Sequence, residues 1–303
     1  MKNTLLIIDT DPGVDDALAI MLAAHSGFQI LGMTTVFGNR PVEVTTQNAC
    51  VIASILASNI PVYRGASVPL QGDAPVAESH GTSGLGGLDV SQFSGIPQKK
   101  NAQDFLNDTL TTSSNITLVC IGPMTNLAEF AKKEPALAAK IQTLVMMGGV
   151  FHEPGNISLL AEFNAYCDPL AFQTVINLPV PKILISADVC RKVLYSLEEF
   201  TSIADAKTSQ NIRDIVSGYI RYYQKDKKHG GFSGGVMYDV LTIAYLLEPT
   251  FFSAHEACVS ISIKEDITRG QTIEVPAGKP NCLLVDNVDA KRVKQLFFER
   301  ICR

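Results

Sequence analysis

Leu5-Leu6-Ile7-Ile8-Asp9-Thr10-Asp11-Pro12-Gly13-Val14-Asp15-Asp16 carries four apolar residues straight into four carboxylates. A short apolar run of this kind, bounded by turn residues, predicts a strand buried on both faces. Pro12 and Gly13 end it, and a helical pattern begins at Val14, so strand, tight turn and helix follow in order. Such a unit opens a parallel α/β sheet, in which ligands gather beyond the carboxyl ends of the strands. The acids lie at that end.

Four carboxylates within eight residues repel one another strongly unless something offsets their charge. A hard divalent cation does so, and a set of oxygen ligands favours calcium or magnesium over zinc. Acids also cap helix N-termini, where the helix dipole favours them, but one or two suffice for that.

Outward from this unit, apolar runs predict further strands at 30–36, 61–63, 116–121, 143–147 and 182–186. Helical periodicity fills 14–25, 41–57, 102–112, 123–132, 168–176 and 197–206. Residues 259–285 turn to a β pattern, and 289–303 read as a closing amphipathic helix. The fold class is α/β: one domain, 1–303, with a mainly parallel, Rossmann-like central sheet covered by helices. Two Gly/Ser-rich stretches, 81–95 and 225–235, are expected as loops over a site or as plain surface connections.

Apolar residues make up 46% of the chain and charged ones 18%, the balance of a folded protein with a well-buried core. A net charge of −5, with no long Lys/Arg run, argues against a nucleic-acid partner. No run of about 20 apolar residues is present, so no membrane span is expected. Seven cysteines, scattered without Cys-x-x-Cys spacing, read as reduced thiols, and the expected location is the cytoplasm.

Two further groups carry chemistry. Asn156, Glu162, Phe163 and Asn164 set amide and carboxylate side by side, which suits the vicinal hydroxyls of a sugar, although a capped helix start reads the same way. Asp239 stands at the start of an apolar helix, where a lone acid is ordinary.

Taken together and in this order, the three groups resemble the inosine-uridine-preferring nucleoside hydrolases, over essentially the whole chain. The resemblance rests on Asp9-Thr10-Asp11-Pro12-Gly13-Val14-Asp15-Asp16-Ala17, Gly38-Asn39, His80-Gly81, Gly122-Pro123-Met124-Thr125-Asn126, Met147-Gly148-Gly149 and Glu162-Phe163-Asn164. It implies the nucleoside hydrolase fold and a small-molecule ribonucleoside substrate, cut by water into ribose and free base. It implies Ca²⁺ held by the side chains of Asp11, Asp16 and Asp239 and the carbonyl of Ile121. Asp15, Asn156, Glu162 and Asn164 match ribose-binding positions, Asn39 a position near the reacting water and base, and His80, Met147 and Phe163 the pocket lining. It also implies a homo-oligomer, a tetramer or dimer.

On that layout, bond cleavage builds positive charge on C1′ and O4′, which surrounding oxygens stabilise. Asp11 is the expected general base, calcium acidifies the water, and inversion at C1′ follows. Where many relatives carry His before the last metal Asp, this chain has Tyr238, a weaker proton donor at neutral pH. Leaving-group assistance therefore falls to His80 or to Tyr238 within a relay. Tyr219 and Tyr223 share one helical face, and Tyr223 is the candidate for a base contact favouring uridine and cytidine; a core-packed stripe is the alternative. Purine or broad specificity, a nucleoside-binding protein without turnover, and a magnesium phosphohydrolase are the competing readings. Pro12-Gly13 and the second Asp pair fit the phosphohydrolase badly.

Overall fold

The computed structural model describes residues 4–202, 207–225 and 231–301. Its strands are β1 (Leu5–Thr10), β2 (Gln29–Thr35), β3 (Val62–Arg64), β4 (Ile116–Cys120), β5 (Thr143–Met147), β6 (Lys182–Ile185), β7 (Leu194–Tyr195), β8 (Gly235–Val236), β9 (Phe252–Ala257), β10 (Val259–Ile261), β11 (Thr272–Glu274) and β12 (Cys282–Val288). The helices are α1 (Val14–Ala24), α2 (Val42–Ile55), α3 (Ala102–Thr112), α4 (Thr125–Lys133), α5 (Pro135–Ala138), α6 (Phe163–Cys167), α7 (Pro169–Ile176), α8 (Ala187–Cys190), α9 (Leu197–Thr201), α10 (Lys207–Lys225), α11 (Val240–Leu247) and α12 (Ala290–Ile301).

Eight strands form the central sheet in the order β3-β2-β1-β4-β5-β6-β12-β9, with every pairing parallel except β12 with β9. The apolar strands are buried on both faces, and alternation along each divides two cores. Leu6 and Ile8 of β1 face one, with α1, α10 and α11, while Ile7 faces the other, with α3, α4 and α7. The chain runs outward through β2 and β3 on one side of β1, then returns to place β4 on the other. This reversal makes the ends of β1 and β4 the topological switch point, where a crevice opens.

Helix α1 leaves that crevice directly. The Asp16 carboxylate accepts the Gly13 N–H at 2.9 Å, closing the first turn, and every residue from Val14 to Ala23 is buried. Helix α3 starts at Asn101, whose side chain accepts the Asp104 N–H, and α7 at Asp168, whose side chain accepts that of Ala171.

Three features differ from the sequence expectation. Strand β9 precedes the expected β region and forms an antiparallel edge; its partly exposed pattern hides it among polar residues. The 19-residue α10 is foreshadowed in the sequence only around its tyrosines, because Ser, Asn and Gly218 interrupt its periodicity. The 197–206 helix corresponds to α9 as far as Thr201, and residues 203–206 lie outside the described residues, as does His229 in the second Gly/Ser stretch. Among the described residues no helix is long and apolar enough to cross a membrane.

Candidate active site

At the switch point the residue after β1 is Asp11. Its Oδ2 accepts the Asn39 N–H at 2.7 Å, while its Oδ1 is buried without a hydrogen-bond partner. Glycines crowd this carboxylate: a Cβ on Gly122 would come within 2.6 Å of Oδ1, and one on Gly38 within 2.1 Å of Oδ2. Asp16 is held by the Thr10 hydroxyl at 2.5 Å and by the Asn39 side-chain amide at 3.1 Å, besides Gly13. Carboxylate oxygens of Asp15, Asp16 and Asp239 lie within 4.8 Å of one another, and Asp11 stands outside that trio but close enough to be repelled by Asp16 and Asp15.

Burial is the main force pushing all four carboxyls above the usual range, and mutual repulsion adds to it on Asp11, Asp15 and Asp239. No described lysine or arginine forms an ion pair with any of them. A pocket that concentrates uncompensated negative charge, leaves one carboxylate oxygen free and clears its surroundings with glycine fits a hard cation. The Ile121 carbonyl, just after β4, accepts the Asn164 side-chain amide at 3.0 Å.

The second group forms the adjoining wall. Glu162 caps α6, accepting from Asn164 N–H at 2.9 Å and Ala165 N–H at 3.1 Å, and also takes the Gly149 N–H at 2.9 Å. The capping role open to it from sequence is thus present, and the same cap turns Asn164 into the cavity. Asn156 Oδ1 is buried without a partner, and Met147 offers its carbonyl and sulfur to Asn164. With Phe163 these residues line a cavity of about 350 Å³, inside the range of small-molecule sites.

The opposite wall comes from α10 and two loops. His80 Nδ1 accepts the Val14 N–H at 3.0 Å, so it carries no proton, and its 3.8 Å approach to Asp15 is not an ion pair. Burial, with Arg40 nearby, pushes its pKa down to about 3. Arg40 braces the loop on both sides of His80, donating to the carbonyls of Ala77 and Thr82 as well as to that of Asn39. The His80 ring lies 5.1 Å from that of Tyr219, whose hydroxyl donates to the Val236 carbonyl at 3.0 Å and also acts on Asp15. Tyr223 and Tyr238 complete the wall, their ring centroids 6.3 Å apart. All the expected site residues except Asp11 and Asp16 line one cavity; Asp16 lies within 4.8 Å of the lining carboxylates of Asp15 and Asp239, and Asp11 is close enough to be repelled by Asp16.

Sequence reading missed Arg191, Phe232 and the 75–79 loop, which line it as well. Position alone could have flagged Arg191, which follows the carboxyl end of β6 by six residues.

The family model described as inosine-uridine preferring nucleoside hydrolase matches residues 6–295. The chain belongs to that family. It is accordingly an N-glycosyl hydrolase. Among relatives, the pyrimidine-specific ribonucleoside hydrolase RihA of Salmonella gallinarum is 33% identical over 98% of this chain and 97% of its own. An uncharacterized protein of Schizosaccharomyces pombe is 34% identical over 98% and 99%. Among solved structures, the plant nucleoside hydrolase PpNRh1 superposes with a TM-score of 0.92 at 26% identity, covering 99% of both chains. The purine-preferring ribonucleoside hydrolase from Gardnerella vaginalis does so at 0.88 and 29%, covering 98% of both. The fold is common to these proteins, while the base preferences in their names differ.

Proposed function

We propose that this protein hydrolyses ribonucleosides to ribose and free base, with uridine and cytidine preferred, and with Ca²⁺ held by Asp11, Asp16, Asp239 and the Ile121 carbonyl. The observation that carries this reading is the set of four buried carboxylates without a described basic partner, two of which, Asp15 and Asp239, line a nucleoside-sized cavity. When bound, the cation supplies charge compensation and Lewis acidity toward water.

The chain's own residues account for the rest. Asp11 holds one oxygen on Asn39 and keeps the other free, so it can take a proton from the attacking water. Asp15, Asn156, Glu162 and Asn164 present acceptors and donors to the ribose hydroxyls, and this arrangement of oxygens favours the positive charge that builds on C1′ and O4′. His80, neutral with its Nδ1 engaged, keeps an Nε2–H to donate toward the base. Asn39 ties Asp11 to Asp16, holding the base and the floor in one geometry. The pyrimidine preference is supported by the RihA relatives, named pyrimidine-specific, and by the tyrosine wall. Free thiols at all six described cysteines agree with a reducing, cytoplasmic location.

The test is ribose release from uridine, cytidine, inosine and adenosine, each with and without a calcium chelator. Chelator-sensitive release, faster from uridine and cytidine, is the expected result. Release unaffected by the chelator, or fastest from inosine, would remove the metal or the base preference respectively, and none from any nucleoside would remove the reading.

A further inference from the structure

Arg191 ends the short helix α8 and turns into the base-side wall of the cavity. Its side chain is only 5% exposed. One terminal nitrogen, Nη1, donates to Glu153 Oε2 at 3.1 Å and to the Pro154 carbonyl at 2.5 Å, so the outer end of the guanidinium is tied to the rim. Glu153 itself is 45% exposed, and an ion pair half in water offsets little of the cost of burying the inner edge.

That inner edge is incomplete. Arg191 Nε is buried without a carboxylate or carbonyl acceptor, and the Tyr238 hydroxyl is buried with only the guanidinium and Tyr223 acting on it. The two groups lie close enough for the guanidinium to act directly on the phenol. The Phe232 ring, 5.9 Å from the guanidinium carbon, closes the site on another side. A permanently cationic edge with no fixed acceptor, and a phenol beside it, specify a ligand that brings an acceptor atom and negative charge.

We propose that Arg191, with the Tyr238 hydroxyl beside it, forms the subsite that takes the negative charge of the departing base, selecting bases with a carbonyl next to the glycosidic nitrogen. This rests on the nucleoside hydrolase reading above. As the C1′–N bond breaks, both electrons pass to the base nitrogen and spread onto the adjacent carbonyl oxygen. The water oxygen bonds to C1′, and Asp11 takes its proton. The base leaves as an anion neutralised by Arg191, then gains a proton from solvent, while Asp11 returns its own. The sum is nucleoside plus water giving ribose plus base. No group has to protonate the base before it leaves, which removes the need for the histidine that Tyr238 replaces.

The experiment compares uridine with p-nitrophenyl β-D-riboside, whose leaving group is a stable anion without help. In Arg191→Gln, kcat on uridine should fall about 100-fold, in line with loss of one charge-stabilising donor. The same variant should turn over the p-nitrophenyl riboside within about 3-fold of wild type, with little change in KM for either substrate. Arg191→Lys should regain part of the uridine rate. Glu153→Gln, which releases only the rim, should remain near wild type on both. Equal losses on both substrates in Arg191→Gln, or the same loss in Glu153→Gln, would make Arg191 a brace for the rim and overturn the assignment while leaving the hydrolase intact. A wild-type protein that releases ribose from no nucleoside overturns both.

Discussion

Replacing Gly86 by alanine tests how the loop carrying His80 is seated. Gly86 has φ +60°, and a Cβ there would lie 1.9 Å from the Ile215 carbonyl oxygen of α10. Its neighbour Gly87 donates to the Asp214 carbonyl at 3.0 Å, and Gly86 itself donates back to the His80 carbonyl at 3.0 Å. Loop and helix backbones therefore touch with no room for a side chain. Holding alanine in the left-handed region costs about 1–2 kcal/mol, and forcing a methyl into a packed contact costs about 1–3 kcal/mol more. The expected loss is about 2–5 kcal/mol. With about 2.1 cal/mol/K of unfolding entropy per residue over 303 residues, each kcal/mol moves Tm by about 1.5 °C, so Tm should fall by about 3–8 °C. Gly218, exposed on the same helix with nothing within 4 Å of the place a methyl would occupy, is the control. There alanine should stabilise by up to about 1 kcal/mol through helix propensity. Thermal unfolding by circular dichroism reads both, and uridine turnover should drop in Gly86→Ala because His80 and Tyr219 separate. A Gly86→Ala protein melting within about 1 °C of wild type would refute the seating argument.

Two further outcomes follow from the floor and the tyrosine wall. Asp9, raised to about 7, and the still more crowded Asp11, Asp15 and Asp239 hold protons in the folded metal-free protein that the unfolded chain releases near pH 4. Because the native state binds more protons, stability of the metal-free protein should fall as pH rises from about 4 through these raised values; a chelated sample whose Tm does not drop between about pH 5 and 7, or drops as steeply with calcium added, would contradict this. Tyr223→Phe should lower the uridine-to-inosine ratio of kcat/KM severalfold, and an unchanged ratio would leave Tyr223 as a packing residue whose hydroxyl serves Tyr219.

The parts legible in the sequence were those with a short physical range. Apolar runs between turn residues located β1, β2, β4, β5 and β6, because a strand buried on both faces needs no partner to declare itself. Asp11, Asp15 and Asp16 stood out because four acids on one turn demand an explanation within that turn. What depended on distant neighbours did not show. Arg191 is an ordinary arginine until α8 folds it beside Tyr238, 47 positions away. Strand β9 is identified only by β12, and the contact of Gly86 with Ile215 spans two elements that no local pattern connects. Glu162 reads from sequence both as a cap and as a sugar ligand, and the cap is the part its neighbours make visible.

The cavity has a floor and walls of different origin. The floor comes from strand ends and the first turn of α1, an element buried along nearly its whole length, whereas the wall facing Glu162 and Asn164 comes from α10 and from loops. Changes to the floor disturb the core, and so do changes to Tyr219, Tyr223 and Tyr238, which pack in the same apolar cluster as α1; only the outer rim of the wall stands clear of it. Engineering a new leaving group on this scaffold therefore starts from the partly exposed 75–79 loop and Phe232, with the strand termini and the tyrosine cluster kept as a fixed chassis.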